Sequence, residues 1–316
     1  MIRTDVHGRV AAWKARKFAV WMAGPLLIAF FLANGCAISK KKVVHSGAVG
    51  PAKEASGEEL LTAYNHLTDA IKSINASVEL SPTAGSTYSG VIEQYHQING
   101  FILAQKPESI RVIGQAPVIS KNIFDMTSDG RTFQIYIPSK NQFIVGPTNL
   151  QRVAQKPIEN LRPQHLLDAM FWPAIPARAP VLFEEFDEPA ARYYVLTLLH
   201  GSEKLSIDRK LWFDRADLSL ARIEVYDAGG QVISDVHFSD WQNGSSTNSA
   251  ITAAGNSSPY PRHIVLNRPR DTYQLEIHIT KLALNETIAA DRFQLVQPPG
   301  TQLVRLGEEG TGPEGH

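Results

Sequence analysis

The 316-residue sequence predicts a mainly β fold, an incomplete, half-open antiparallel β-barrel with helices as a lid over an apolar cavity. Three observations predict it. About a dozen short runs rich in β-branched and aromatic residues are separated by Gly, Pro, Asn and Asp, the punctuation of an antiparallel meander. In one long run Tyr273, Leu275, Ile277 and Ile279 alternate with Thr272, Gln274, Glu276, His278 and Thr280, so one face is apolar and the other polar. Only two amphipathic helices accompany these runs, too few to cover the apolar side of so broad a sheet. Such a sheet must curl on itself, and a curl only partly plugged by helices leaves an apolar hollow.

The elements follow in order. Ser56 and Glu59 stand at capping-box spacing, and Leu60, Tyr64, Leu67, Ile71 and Ile74 recur at helical intervals, which predicts a first helix with one greasy face. Residues 91–98, 109–114, 122–127, 132–137 and 142–146 form a first group of strands. Ser128-Asp129-Gly130-Arg131 and Pro138-Ser139-Lys140-Asn141 are turns between them, because Asp-Gly supplies a positive φ and Pro fixes the entry angle. A short helix opens at Pro163, carries Leu166, Leu167, Met170 and Phe171, and stops before Pro173. Residues 181–186, 192–200, 204–213, 218–227, 231–241, 263–267 and 272–284 continue the meander. Residues 242–262 include a Ser/Asn/Gly-rich insertion too long for a tight hairpin.

The N-terminus carries a separate signal. Arg3, Arg9, Lys14, Arg16 and Lys17 precede an apolar stretch from Phe18 to Ala33, broken by Gly24-Pro25, which ends at Leu32-Ala33-Asn34-Gly35-Cys36. The pattern resembles a bacterial lipoprotein signal peptide, with Cys36, the only cysteine, as the lipid-anchor residue that becomes the first of the mature protein. Ala33 and Asn34 depart from the usual occupants of their positions. The alternative is an uncleaved anchor helix. Ala37 follows the cysteine, a pattern resembling outer-membrane sorting in enteric bacteria. The expected organisation is a signal peptide at 1–35, a flexible tether at 36–57, a half-barrel domain at 58–306 and a disordered tail at 307–316. A tether of about 22 residues reaches roughly 25 Å, enough to hold a domain just off a membrane.

Charge narrows the partners. Without residues 1–35 the chain has 26 basic and 30 acidic residues, a net charge of −4, which argues against a nucleic-acid partner. With one cysteine there is no intramolecular disulfide, so an apolar core must stabilise the exported domain.

Several local signatures, in order, resemble the LolA/LolB-like superfamily of lipoprotein carriers and receptors. They are Gly100-Phe101-Ile102-Leu103-Ala104-Gln105-Lys106-Pro107, Asp129-Gly130-Arg131-Thr132-Phe133, Leu211-Trp212-Phe213-Asp214, Val225-Tyr226-Asp227, Phe238 with Trp241, and Pro298-Pro299-Gly300. The resemblance implies a half-open barrel whose helices lie over a cavity for acyl chains of lipids or lipoproteins, attachment to the bacterial outer membrane, and a periplasmic carrier protein as possible partner. Lys106 falls where the family's carriers place a cavity-mouth arginine that bonds lid carbonyls; lysine lacks the forked guanidinium. Val118 and Ile119, in Ala116-Pro117-Val118-Ile119, fall where receptors carry a membrane-insertion loop.

The candidate cavity wall is Phe133, Ile135, Ile137, Leu211, Phe213, Leu275 and Ile277. The candidate lid is Leu166, Leu167, Met170 and Phe171. Plain core packing is the alternative for each. Two other functions stay open: an envelope-stress regulator with a lipid-sensing half-barrel, and a structural lipoprotein whose barrel holds only its own side chains. The sequence has no His-Glu-x-x-His, no Gly-x-Ser-x-Gly and no cysteine pair, so no enzyme, metal site or cofactor is expected. His263 and His278 stand in strands without an acidic neighbour in sequence at ligand spacing, and any Ser/His/acid constellation would have to be assembled by the fold.

Overall fold

Fifteen strands join one sheet in the computed structural model, which describes residues 51–85, 92–94, 96–117, 121–150, 160–188, 191–201, 204–243 and 258–307. A helix, α1 (Gly57–Ala70), precedes the first group: β1 (Ser73–Gly85), β2 (Ile92–Gln94), β3 (Ile98–Gln105), β4 (Ser109–Gln115), β5 (Asn122–Ser128), β6 (Thr132–Ile137) and β7 (Gln142–Pro147). A second helix, α2 (Pro163–Met170), leads into β8 (Val181–Asp187), β9 (Arg192–His200), β10 (Ser206–Asp214), β11 (Leu220–Tyr226), β12 (Val232–Asn243), β13 (Pro259–Arg268), β14 (Tyr273–Leu284) and β15 (Gln302–Arg305). The sheet order is β15-β7-β6-β5-β4-β3-β1-β14-β13-β12-β11-β10-β9-β8, with β2 paired to β1 off this path. The path ends at β15 and β8, so the fold is the expected one, mainly β with a sheet left open.

The curl follows from one helix touching distant strands. Residues leading into α1 bond β9 and its neighbourhood, with Ala55 N–H to the Tyr194 hydroxyl and Lys53 N–H to the Arg215 carbonyl at 2.7 Å. At its other end, the Thr68 carbonyl receives Lys106 Nζ from the end of β3. From β3 to β9 is seven strand spacings, about 34 Å if flat. A helix of 14 residues is about 21 Å long. The sheet therefore bends around α1, and a single hydrophobic cluster joins the helices to side chains from β1 through β14.

The α1 capping box forms as expected, with Glu59 N–H donating to Ser56 Oγ and Ser56 N–H donating to Glu59 Oε2. The stripe ends sooner than the spacing predicts. Ile71 is already extended at φ −107°, and Ile74 lies in β1. The reason is a tertiary contact: Asn285 Nδ2 donates to the Ala70 carbonyl and its Oδ1 accepts from Lys72 N–H, closing the helix with a side chain from more than 200 residues away. The central strand β1 was not expected, because Ser73–Gly85 is rich in small residues and contains Pro82. Its pairing accommodates that proline: β3 covers β1 only as far as Leu80, and β2 takes over at Thr83, so Pro82 falls in the gap where no N–H is needed on that side.

The expected run at 91–98 is split into β2 and the start of β3. Gly130 has the expected positive φ of 86°, while Pro138–Lys140 is a 3-10 turn followed by Asn141 at φ 51°. After β14 the chain crosses the outer face of the sheet, where Thr127 Oγ1 and Arg111 donate to the carbonyls of Phe293 and Arg292. It then adds β15 parallel to β7 at the edge. Cys36, Val118 and Ile119, and the tail beyond 307, lie outside the described residues.

Candidate functional site

Strand alternation decides what faces the helices. In β14, Tyr273, Leu275, Ile277 and Ile279 are buried while Glu276 and His278 point the other way. Leu211 and Phe213 of β10 join the same cluster, as do Tyr260, Ile264 and Leu266 of β13. Against this face sits α2, with Leu166 and Met170 fully enclosed and Leu167 nearly so. Thus the structure brings together Leu211, Phe213, Leu275 and Ile277 with the candidate lid residues Leu166, Leu167, Met170 and Phe171 in one cluster. Ile135 packs against them half-buried. Phe133 and Ile137 go elsewhere. Phe133 is buried beneath the Arg162 guanidinium, 5.2 Å from its ring centroid, and Ile137 is half-buried outside the cluster. Wall and lid side chains pack on one another.

The helices are fastened by a short series of polar contacts. Tyr64 Oη donates to the Pro173 carbonyl at 3.1 Å, and Asn65 makes a reciprocal pair with Ile175, donating to its carbonyl at 2.9 Å and accepting its N–H at 2.8 Å. Tyr260 Oη donates to the Met170 carbonyl at 2.9 Å. Behind α2, Trp172 stacks on Tyr260 and meets Phe238 edge-on at 5.1 Å between centroids. Lys106 spans the two helices: its ammonium donates to Thr68 in α1 and lies 5.5 Å from the Phe171 ring centre. Burial pulls its pKa below the usual lysine value, as does Lys72, with Asp69 opposing them. Lysine thus bonds one helix carbonyl, where a guanidinium fork would offer more.

Under the start of α2 lies a buried polar group. His165 Nδ1 meets the Tyr273 hydroxyl at 2.7 Å and its Nε2 lies 3.2 Å from Arg268 Nη2, while Arg268 Nε bonds Asp271 at 2.7 Å. Burial, then Arg268 and Arg162, hold the His165 pKa well below the ordinary histidine value.

The residues that sequence reasoning missed are Asn65, Trp172, Ile175 and His165, which fasten the helices to each other and to the wall. The nearest signal was Trp172-Pro173 just after the second helix. The absence of an acidic partner for His263 is corrected: Glu276 Oε1 lies 2.6 Å from His263 Nε2. The two are 13 residues apart, and only the β13–β14 hairpin register brings them together. Among the described residues no group of three or more His, Cys, Asp and Glu side chains is placed to hold a metal ion, and no helix is long and apolar enough to cross a membrane.

No protein-family model matches the chain, and no curated protein matches it. Solved structures do. The chain is similar to a DUF1329 family protein from Desulfovibrio piger, with 12% identity and a TM-score of 0.47 over 74% of this chain and 94% of that one. It is likewise similar to the LolA superfamily protein NE2245 from Nitrosomonas europaea, with 13% identity and a TM-score of 0.44 over 77% of this chain and 99% of that one.

Proposed function

We propose that this protein is a carrier or receptor of the bacterial cell envelope, anchored by lipid at Cys36 and facing the periplasm, which binds acyl chains of lipids or lipoproteins between its sheet and its two helices. The observation that carries this reading is the pairing of an apolar sheet face with two helices that lie on it as a cover. The face formed by Leu211, Phe213, Leu275 and Ile277 shares one apolar cluster with Leu166, Leu167 and Met170 of α2 and with Leu60 and Tyr64 of α1. Besides this apolar packing, the polar fastenings of α2 and the residues after it to α1 and to the wall are individual hydrogen bonds, each worth about 1 kcal/mol net.

An acyl chain offers the wall what α2 offers it. Each methylene removed from water contributes about 0.8 kcal/mol, so a ten-carbon stretch contributes roughly 8 kcal/mol. A membrane offers the same. Replacing Leu166, Leu167 and Met170 on the wall by an acyl chain is therefore close to balanced, and the direction of transfer is set by the strain of moving the helices and by the next acceptor. Lys106, holding the end of α1 and lying beside Phe171, is placed to register that movement.

The test is extraction without denaturation followed by mass spectrometry of what accompanies the protein. Co-purifying acylated molecules, lost on Leu275→Glu, support the reading; a protein that emerges repeatedly without them sinks it. Labelling with radioactive palmitate in wild type and Cys36→Ala examines the anchor separately, and label persisting in the variant removes Cys36 from that role.

A further inference from the structure

On the outer face of the sheet, away from the core, four strands place Glu79, His278, His263 and Ser239 in one row. Glu79 is directly opposite His278 across β1 and β14, His278 is opposite His263 across β14 and β13, and His263 is opposite Ser239 across β13 and β12. Within the row, Ser239 Oγ lies 2.9 Å from His263 Nδ1, and His263 Nε2 reaches along β14 to Glu276 Oε1 at 2.6 Å. Glu276 has no proton to give when ionised, so it takes the one on Nε2. That leaves Nδ1 as the acceptor for the serine hydroxyl. The three side chains line a hollow of about 490 Å3. Asp240, next to the serine, has a φ of 54° and is left out of the ladder, which pairs Ser239 with His263 and resumes at Trp241 with Pro261. A non-glycine residue held in the left-handed region is strained, and such strain gathers at functional positions.

We propose that Ser239, His263 and Glu276 form a nucleophilic triad that hydrolyses a small polar ester, on the face opposite the acyl-chain wall and independently of it. The nitrogen roles are exchanged relative to the usual arrangement, but the logic is the same: the acid fixes the tautomer and the imidazole takes the serine proton. As Ser239 Oγ bonds to the ester carbonyl carbon, its proton passes to His263 Nδ1. His263 then returns that proton to the departing alkoxide as the C–O bond breaks. Water attacks the acyl-serine, gives a proton to the same nitrogen, and the acid leaves as the serine hydroxyl is restored. The lining sets the substrate class. Glu79, Asp240 and Glu276 are three carboxylates, and among the described residues no lysine or arginine lines the hollow, so a neutral or cationic ester fits and an anionic one is repelled. Gln97, Ser81 and His278, which carry N–H or O–H groups, also line the hollow.

The experiment uses the full chain with p-nitrophenyl acetate as substrate and a fluorophosphonate as probe, followed by peptide mass spectrometry. Label concentrated on Ser239, lost in Ser239→Ala and reduced about a hundredfold or more in His263→Gln with unchanged circular dichroism, supports the triad. Label spread over exposed serines at equal rates, or turnover undiminished in Ser239→Ala, overturns it. A choline ester reacting no faster than a succinate half-ester overturns the substrate class.

Discussion

His165 accepts a hydrogen bond from Arg268 through Nε2, at 3.2 Å, and this bond exists only while the imidazole is neutral. Nδ1 then carries the proton toward the Tyr273 hydroxyl. Protonating Nε2 would set two donors and two positive charges against each other under α2. Arg162 and Arg268 are the cations facing the ring, with Asp271, Asp168 and Tyr273 the other titratable groups around them.

The sign of the resulting pH dependence is fixed. The folded-state pKa lies below the unfolded value near 6.5, so the unfolded chain binds the proton first and stability falls as pH drops below about 6.5 toward the folded value. The slope from this one group is at most about 1.4 kcal/mol per pH unit. Thermal unfolding at pH 7.5 and 5.0 should show a larger loss in wild type than in His165→Gln; equal losses would count against the assignment.

Arg222 grips Asp235 with a two-pronged contact, Nε to Oδ1 at 2.7 Å and Nη2 to Oδ2 at 3.0 Å. Burial alone would raise the Asp235 pKa, but the bonds from His237 and Arg222 outweigh it and hold the value at about 2. Its stabilisation is thus complete above about pH 4 and lost as pH falls toward 2. Asp235→Ala leaves Arg222 with Glu224, at 2.9 Å, as its carboxylate partner and should cost about 2 kcal/mol in urea unfolding.

A Cβ at Gly114 would stand 2.4 Å from Phe124 Cε1 across the β4–β5 pair. The ring must therefore move or the strands must part. Gly114→Ala is expected to destabilise by about 1–3 kcal/mol, and the double variant Gly114→Ala with Phe124→Leu to recover part of that loss.

Lys106→Met removes the bond to Thr68 while keeping apolar contact with Phe171. Losing one hydrogen bond of about 1 kcal/mol frees the end of α1 by roughly fivefold. Amide exchange in the last turn of α1 and uptake of a fluorescent fatty acid should both accelerate by that order. Faster exchange without faster uptake would separate α1 from the entry of ligand.

The sheet was legible because alternation is written into residues such as Tyr273, Leu275 and Ile277, each decided by its own chemistry. The second helix was legible from Pro163 and the apolar residues after it. Strand β1 was not, since its small residues and Pro82 read as a loop until β2 and β3 share its edge. The end of α1 was not either, because the group that stops it is Asn285, and no local window contains both. Leu166, Leu167, Met170 and Phe171 lie in one cluster with Leu211, Phe213, Leu275 and Ile277, whereas Phe133 and Ile137 show that a parity rule fixes the face of a strand and not what stands in front of it. The Ser239–His263–Glu276 arrangement depends on register, which sequence gives only once the hairpin is known.

The first strand of the domain pairs with the last but one: Ile74 is opposite Leu284 and Val78 opposite Ile279. During synthesis, β1 must wait until some two hundred more residues have emerged, with its edge unsatisfied meanwhile. Topologies that rely on such distant partners fold slowly and aggregate readily. The nascent protein is thus a natural client for a holding chaperone, and truncation before β14 should yield a species that is captured or degraded rather than a smaller working domain.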